Sequence, residues 1–150
     1  MATGRHTLRA IVMQTLFAWE FRGGEVEAIL FYNIVNGARH IEDTHFAYNL
    51  LKNTLNHRKE IKELIKEYAP DWPFEKIAPV DRAILELGLC ELMFDEKIPD
   101  LVAINEAVEL AKEFGVENSS KFINGVLSSV YEAHRGGSQD ADAQTADADD

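Results

Sequence analysis

Disulfides, membrane spans and the familiar catalytic signatures are all missing from this chain. Its 150 residues hold a single cysteine, Cys90, so no intramolecular bridge is available, and that residue falls in an apolar helical pattern where a small hydrophobe is expected. Apolar runs are interrupted every few residues by Glu, Lys or Asn, well short of the roughly 20 residues a membrane helix needs. Residues 1–9 lead into a periodic helix and not into an apolar block, so no secretory leader is expected. No Gly-rich phosphate loop, metal-spaced cysteine cluster or G-x-S-x-G turn occurs. The histidines His6, His40, His45, His57 and His134 are scattered, and His57 with Glu60 or Glu63 reads as a solvated helix face sooner than a metal site. Glu106 and Glu109 lie three apart on one helix face, where capping and dipole complementation explain them without catalysis. A cytoplasmic protein that is not an enzyme and carries no cofactor or metal is the expectation.

Charge is unevenly spread. The formal net charge is −11, which by itself disfavours a nucleic-acid partner, because cations neutralising phosphates dominate such binding. Yet no Lys or Arg follows Arg135, whereas Asp140, Asp142, Asp147, Asp149 and Asp150 all do. At the other end, no acidic residue precedes Glu20, and Arg5, His6 and Arg9 make the start weakly basic. Residues 136–150, GGSQDADAQTADADD, contain no aromatic or branched apolar side chain. Such a segment buries too little surface to offset its ordering entropy, and a disordered acidic tail is expected after a domain spanning residues 1–135.

What the chain does have is helical periodicity, and an all-α fold of six to seven helices follows from it. Leu8, Ile11, Val12, Leu16 and Trp19 form one stripe of a first helix over residues 7–22, stopped by Gly23 and Gly24. Met13, Phe17 and Phe21 recur every four residues on its other side, so the helix is apolar on two faces. A second helix covers residues 25–36 and is closed by Gly37 in the left-handed conformation. Asp43 or Thr44 caps a third, unbroken to Tyr68 and about 25 residues long. Pro70 and Pro73 then impose a loop holding Trp72 and Phe74, with room for one short turn. Pro79 opens a fourth helix that is apolar almost all round and therefore central. A fifth spans about residues 103–114 before Gly115, and Asn118 or Ser119 caps a sixth that runs to about residue 133.

The segments VDRAILELGLCEL (80–92), VAINEAVELAKEFG (102–115) and SSKFINGVL (119–127), with the helix LRAIVMQTLFAWEF (8–21), closely resemble the NusB family. Coverage runs over about residues 5–133, although residues 25–68 match only in length and pattern. The resemblance implies two small helical bundles packed together. It also implies binding of single-stranded boxA RNA together with NusE, a small-subunit ribosomal protein, within an RNA polymerase antitermination complex. Carried onto this chain, the RNA surface would comprise Arg5, His6, Arg9, Phe17, Asn118, Lys121 and Phe122. Cations there would neutralise phosphates, rings would stack unpaired bases, and a helix N-terminus would offer N–H groups to an anion. Asp81 would face the basic protein partner.

Two departures from the family pattern stand out. Relatives commonly begin with a dense arginine cluster, whereas this chain has Arg5, His6 and Arg9, so weaker and less salt-dependent RNA binding is expected. Position 118, often acidic in relatives, is Asn118 here, which removes one like charge from the RNA side. The alternative reading keeps the fold and uses Met13, Phe17 and Phe21 for protein contact, a homodimer included, with weak independent RNA binding. NusB-like domains also precede RNA cytosine methyltransferases, but no methyl-transfer role is expected of a chain finishing in an acidic tail.

Overall fold

The computed structural model describes residues 2–135, with side chains from residue 4 onward. The expected acidic tail lies outside the described residues. Helices α1 (Ala2–Arg22), α2 (Val26–Gly37), α3 (His45–Asn56), α4 (Arg58–Tyr68), α5 (Pro79–Phe94), α6 (Asp100–Phe114) and α7 (Ser119–Arg135) follow one another, with a short 3₁₀ turn at Phe74–Lys76. Helices α1, α2 and α3 make one bundle, and α4, α6 and α7 gather round α5 in the other. Helix α5 also packs on α1 and α3, which joins the two. Among the described residues no helix is long and apolar enough to cross a membrane.

Helix α5 owes its position to composition. Every residue from Ala83 to Leu92 is buried, and a helix apolar around its circumference is stable only when neighbours cover all its faces. Two acids lie inside that run. Glu86 accepts from Arg58 Nε at 3.1 Å, and Glu91 is met by Arg9 of α1. Burial pushes both carboxyls above their usual range, against the pull of their arginines. Cys90 is fully buried as expected, and burial raises its thiol to about 12.

The boundaries differ from expectation in instructive ways. The long third helix is two helices. His57 leaves helical geometry at φ −111°, ψ 16°, its ring stacks on Phe94 with centroids 4.2 Å apart and planes 10° from parallel, and its Nδ1 lies 3.0 Å from Asn53 O. Asn53 Nδ2 in turn donates to Phe94 O at 3.0 Å. These contacts with the end of α5 redirect the chain so that Ile61 and Ile65 of α4 reach the core. Gly37 is the last residue of α2 and does not adopt the expected left-handed conformation. A Cβ there would sit 2.8 Å from Ile11 Cδ1, the tip of a side chain that would have to shift. Gly23 and Gly24 do take positive φ, 69° and 90°, and make the α1–α2 turn. Helix α6 starts at Asp100, earlier than its apolar pattern suggested, because Pro99 stands at the N-cap.

The loop between α4 and α5 is fastened from several sides. Arg82 donates to Ile77 O at 2.7 Å, lies 5.4 Å from the Phe74 ring centroid and pairs with Glu20 of α1. Lys62 approaches the same ring from α4 at 4.9 Å. Glu20 also receives Arg58 at 3.3 Å. The loop that carries Trp72 is thereby held against three helices.

A candidate nucleic-acid interface

The turn from α6 into α7 shapes a concave part of the surface. Gly115 closes α6, and Asn118 adopts φ 77°, a left-handed value that asparagine tolerates better than most residues. Asn118 O accepts Phe122 N at 3.0 Å, the first helical bond of α7. Ser119 then works in two directions: its Oγ accepts Val116 N at 3.0 Å and donates to Asp81 Oδ2 at 3.2 Å. A cleft of about 430 Å³ opens here, lined among others by Trp72, Lys76, Asp81, Asn118 and Phe122. Trp72 is 53% exposed and meets Phe122 edge-on, with centroids 6.4 Å apart and planes at 68°. Lys121 and Phe122 line an adjoining groove with Tyr68 and Trp72. Rings, cations and a helix N-terminus therefore share one surface.

Asp81 differs from expectation. It is only 8% exposed, so it does not stand out as an acidic contact for a basic protein. Oδ1 is buried and has no hydrogen-bond partner among the described residues, and Asp81 is one of the residues lining the cleft. Burial raises its carboxyl above the ordinary range, partly offset by the Ser119 hydroxyl.

The N-terminal candidates are divided. Arg5 is exposed, its guanidinium 5.0 Å from the Phe46 ring centroid, at a groove that also includes Asn49 and Lys97. His6 bridges two acids of α6, with Nδ1 2.8 Å from Glu106 Oε1 and Nε2 2.6 Å from Glu113 Oε1. Arg9 is a correction to the sequence reading. It is 0% exposed, donates from Nε to both carboxylate oxygens of Glu91 at 2.9 and 3.1 Å, approaches Glu106 at 3.4 Å and lies 4.9 Å from the Phe46 centroid. A guanidinium sealed in this way neutralises a buried acid and does not reach a phosphate. Met13 is corrected likewise, because at 2% exposure it packs in the core and offers nothing to a partner. Phe17 is half-buried against the core and meets Phe21 edge-on at 5.1 Å, while Phe21 is 67% exposed.

The candidates thus fall into separate groups. Asn118, Lys121 and Phe122 come together with Trp72, Lys76 and Asp81, whereas Arg5 and His6 lie at the start of α1. Phe17 is three turns further along that helix, about 18 Å from Arg5. His6 connects the first two groups indirectly, since its partner Glu113 is five residues before Asn118, at most about 18 Å of extended chain. Sequence reasoning left Trp72 and Lys76 out of the site. The available signal was a tryptophan in a proline-bounded loop, a position that core packing does not require.

The His6 contacts make a pH-dependent strap between α1 and α6. Burial alone would lower the imidazole, but hydrogen bonds and charge from Glu106 and Glu113 outweigh it and raise its pKa. With the folded value above the unfolded one, the contribution to stability is complete below about pH 6.5 and disappears as pH rises through the folded value. Urea denaturation of wild type and His6→Gln should therefore show the larger gap at mildly acidic pH and convergence in alkaline buffer. A gap independent of pH would remove protonation from the account.

The architecture and this surface define an all-helical, two-bundle protein with an aromatic and basic cleft where α7 begins. The NusB family profile matches residues 6–132, and the chain belongs to the NusB family. It is 38% identical over 133 residues to the transcription antitermination protein NusB of Dehalococcoides mccartyi strain CBDB1, covering 89% of this chain and 93% of that protein. It is 39% identical over 132 residues to that of Chloroflexus aggregans, covering 87% and 88%. Among solved structures, T. maritima NusB superposes with a TM-score of 0.79 at 33% identity, covering 87% of this chain and 92% of that one. A chain of the crystal structure of antitermination factors NusB and NusE in complex with dsRNA superposes with a TM-score of 0.79 at 26% identity, covering 89% of this chain and 100% of that one.

Proposed function

We propose that this chain is a transcription antitermination factor that holds boxA-like single-stranded RNA, acts together with a NusE-like ribosomal protein, and modifies elongating RNA polymerase. It does so in the cytoplasm and without catalysing a reaction, through a domain comprising residues 1–135. Family membership supports the role. The observation that carries the RNA site is the cleft where the Trp72 and Phe122 rings meet beside Asn118 and Lys121.

In this reading one unpaired base lies on the exposed face of Trp72, with Phe122 as the second wall. Lys121 and Lys76 take the flanking phosphates. Arg5 guides the strand as it passes α1. The resemblance-based surface is thus narrowed by Arg9 and widened by Trp72 and Lys76.

Arg5, Lys76 and Lys121 supply about three phosphate contacts, so the log of affinity for a boxA-like strand should fall with log salt at a slope near −2. Lys121→Ala should lower affinity for every sequence and reduce the slope's magnitude by about 0.7. Titrations with and without NusE at several salt concentrations check both. A flat salt dependence in both conditions would remove the phosphate contacts from this reading.

A further inference from the structure

The groove that adjoins the cleft follows α7 toward its C-terminal end, where the acidic part of the chain begins. Tyr68 and Trp72 stand on one side of it, and Lys121, Gly125 and Ser129 of α7 on the other. Those three recur every four residues and so share one helix face. That face returns at Ala133, exposed in the last turn of α7. Beside it Tyr68 Oη lies 3.3 Å from His134 Nε2, and the two rings meet edge-on with centroids 5.9 Å apart. The floor between is low, since a Cβ on Gly125 would meet nothing and Ser129 is exposed. An extended strand has room to lie there.

Charge and chain length indicate which strand. Lys121 stands at the far end of the groove and Lys76 in the cleft beyond it. Both are exposed, and among the described residues neither forms an ion pair. Residues 136–150 carry five aspartates and no cation. Lys121 precedes Arg135 by 14 residues, about 21 Å of helix. Asp142 is seven residues past Arg135, within reach of about 23 Å of extended chain. Asp147, Asp149 and Asp150 extend far enough for Lys76. A segment tethered this closely meets a site on its own chain at roughly millimolar effective concentration, so contacts too weak to hold a free peptide suffice. Asp71 and Glu117 lie along the way and oppose it, which keeps the contact displaceable.

We propose that residues 136–150 turn back along α7 and occupy this groove, their aspartates on Lys121 and Lys76, as a tethered stand-in for a polyanionic strand. RNA then has to displace the tail to reach the cleft, and the chain restrains its own binding. That consequence rests on the cleft being the RNA site, whereas the docking itself does not. Exposed carboxylate–lysine pairs are individually weak and screened by salt, so the restraint is strongest in dilute buffer and is lifted by a strand that offers more phosphates than the tail offers carboxylates.

Carbodiimide coupling of the dilute full chain without RNA joins a carboxylate to a lysine amine that touches it. Trypsin then releases residues 136–150 as one fragment, because no Lys or Arg follows Arg135. Mass spectrometry should find that fragment on Lys121 and Lys76, within single chains when isotope-labelled and unlabelled protein are mixed. Salt at about 0.5 M should remove the links, since exposed charges are then screened. No link to either lysine, links spread equally over Lys52, Lys97 and Lys112, or links only between chains would overturn the docking. The full-length variant Asp140→Asn, Asp142→Asn, Asp147→Asn, Asp149→Asn, Asp150→Asn should bind a boxA-like strand about tenfold tighter at low salt, with the advantage closing as salt frees the wild-type tail. Wild type then approaches the salt slope of about −2 only at higher salt, whereas the variant shows it throughout. In a Lys76→Ala/Lys121→Ala background the gain should vanish. A gain of the same size there means repulsion at a distance and overturns occupancy of the groove. Links in wild type with no gain in the variant would leave the tail docked and put the RNA elsewhere, which fails the cleft as RNA site and not the docking.

Discussion

Arg9→Ala is expected to destabilise the protein by about 3–5 kcal/mol, since removing one member of a buried ion pair leaves the other charge uncompensated. The stranded charge is Glu91 on α5, with no exposed surface of its own. Its carboxyl, already raised by burial, would then be protonated on folding, so the cost should shrink in acid. Exchanging both partners for apolar residues, Arg9→Met with Glu91→Leu, removes the desolvation problem and should recover much of the loss. Urea melts of the three proteins at neutral pH and near pH 5 give the comparison. The same variants separate structure from recognition: if Arg9 acts only on the fold, Arg9→Met/Glu91→Leu should bind RNA with an unchanged salt slope. A stable Arg9→Ala protein with a shallower slope would return Arg9 to the RNA surface.

Trp72→Ala should weaken RNA binding by about 1–3 kcal/mol, roughly fivefold to 150-fold, the range found when a base loses an aromatic platform. The half-exposed ring leaves the core untouched, so thermal stability should barely move. Phe122→Ala gives the contrasting case, because that ring is also packed against the core and its loss should lower affinity and stability together. Trp72→Phe should retain most of the affinity, since a smaller ring still offers a face to stack on. Fluorescence anisotropy with a labelled boxA-like strand reads the affinities. Equal binding by wild type and Trp72→Ala would exclude stacking in this cleft.

How far the sequence disclosed these features depended on whether their causes were local. The start of α5, the end of α6 and the start of α7 were legible because Pro79, Gly115 and Asn118 are residue types that mark helix ends locally. The division between α3 and α4 was not, since no glycine or proline stands near His57. The break is held by a ring stacked on Phe94, 37 residues away in the chain. Gly37 was placed correctly at the end of α2, but without the left-handed φ expected of it, and a Cβ there would meet only the tip of the Ile11 side chain. Within the site, Asn118, Lys121 and Phe122 could be found because they adjoin one helix start. Arg9 could not be judged from composition, which counts a cation without revealing that an acid 82 residues on lies against it. Trp72 belonged to the site only once Arg82, Phe74 and Lys62 had fixed its loop against the helices.

The single thiol has a practical side. Cys90 is enclosed by α5's neighbours and its proton is held up to about 12, so almost no thiolate exists at neutral pH and alkylating reagents find nothing to attack. A cysteine introduced anywhere on the surface thus becomes a unique handle for a dye or spin label, with no need to delete the native one. Conversely, Cys90 reacts only in molecules that have opened, and the extent of its labelling is a built-in gauge of how much of a preparation is intact.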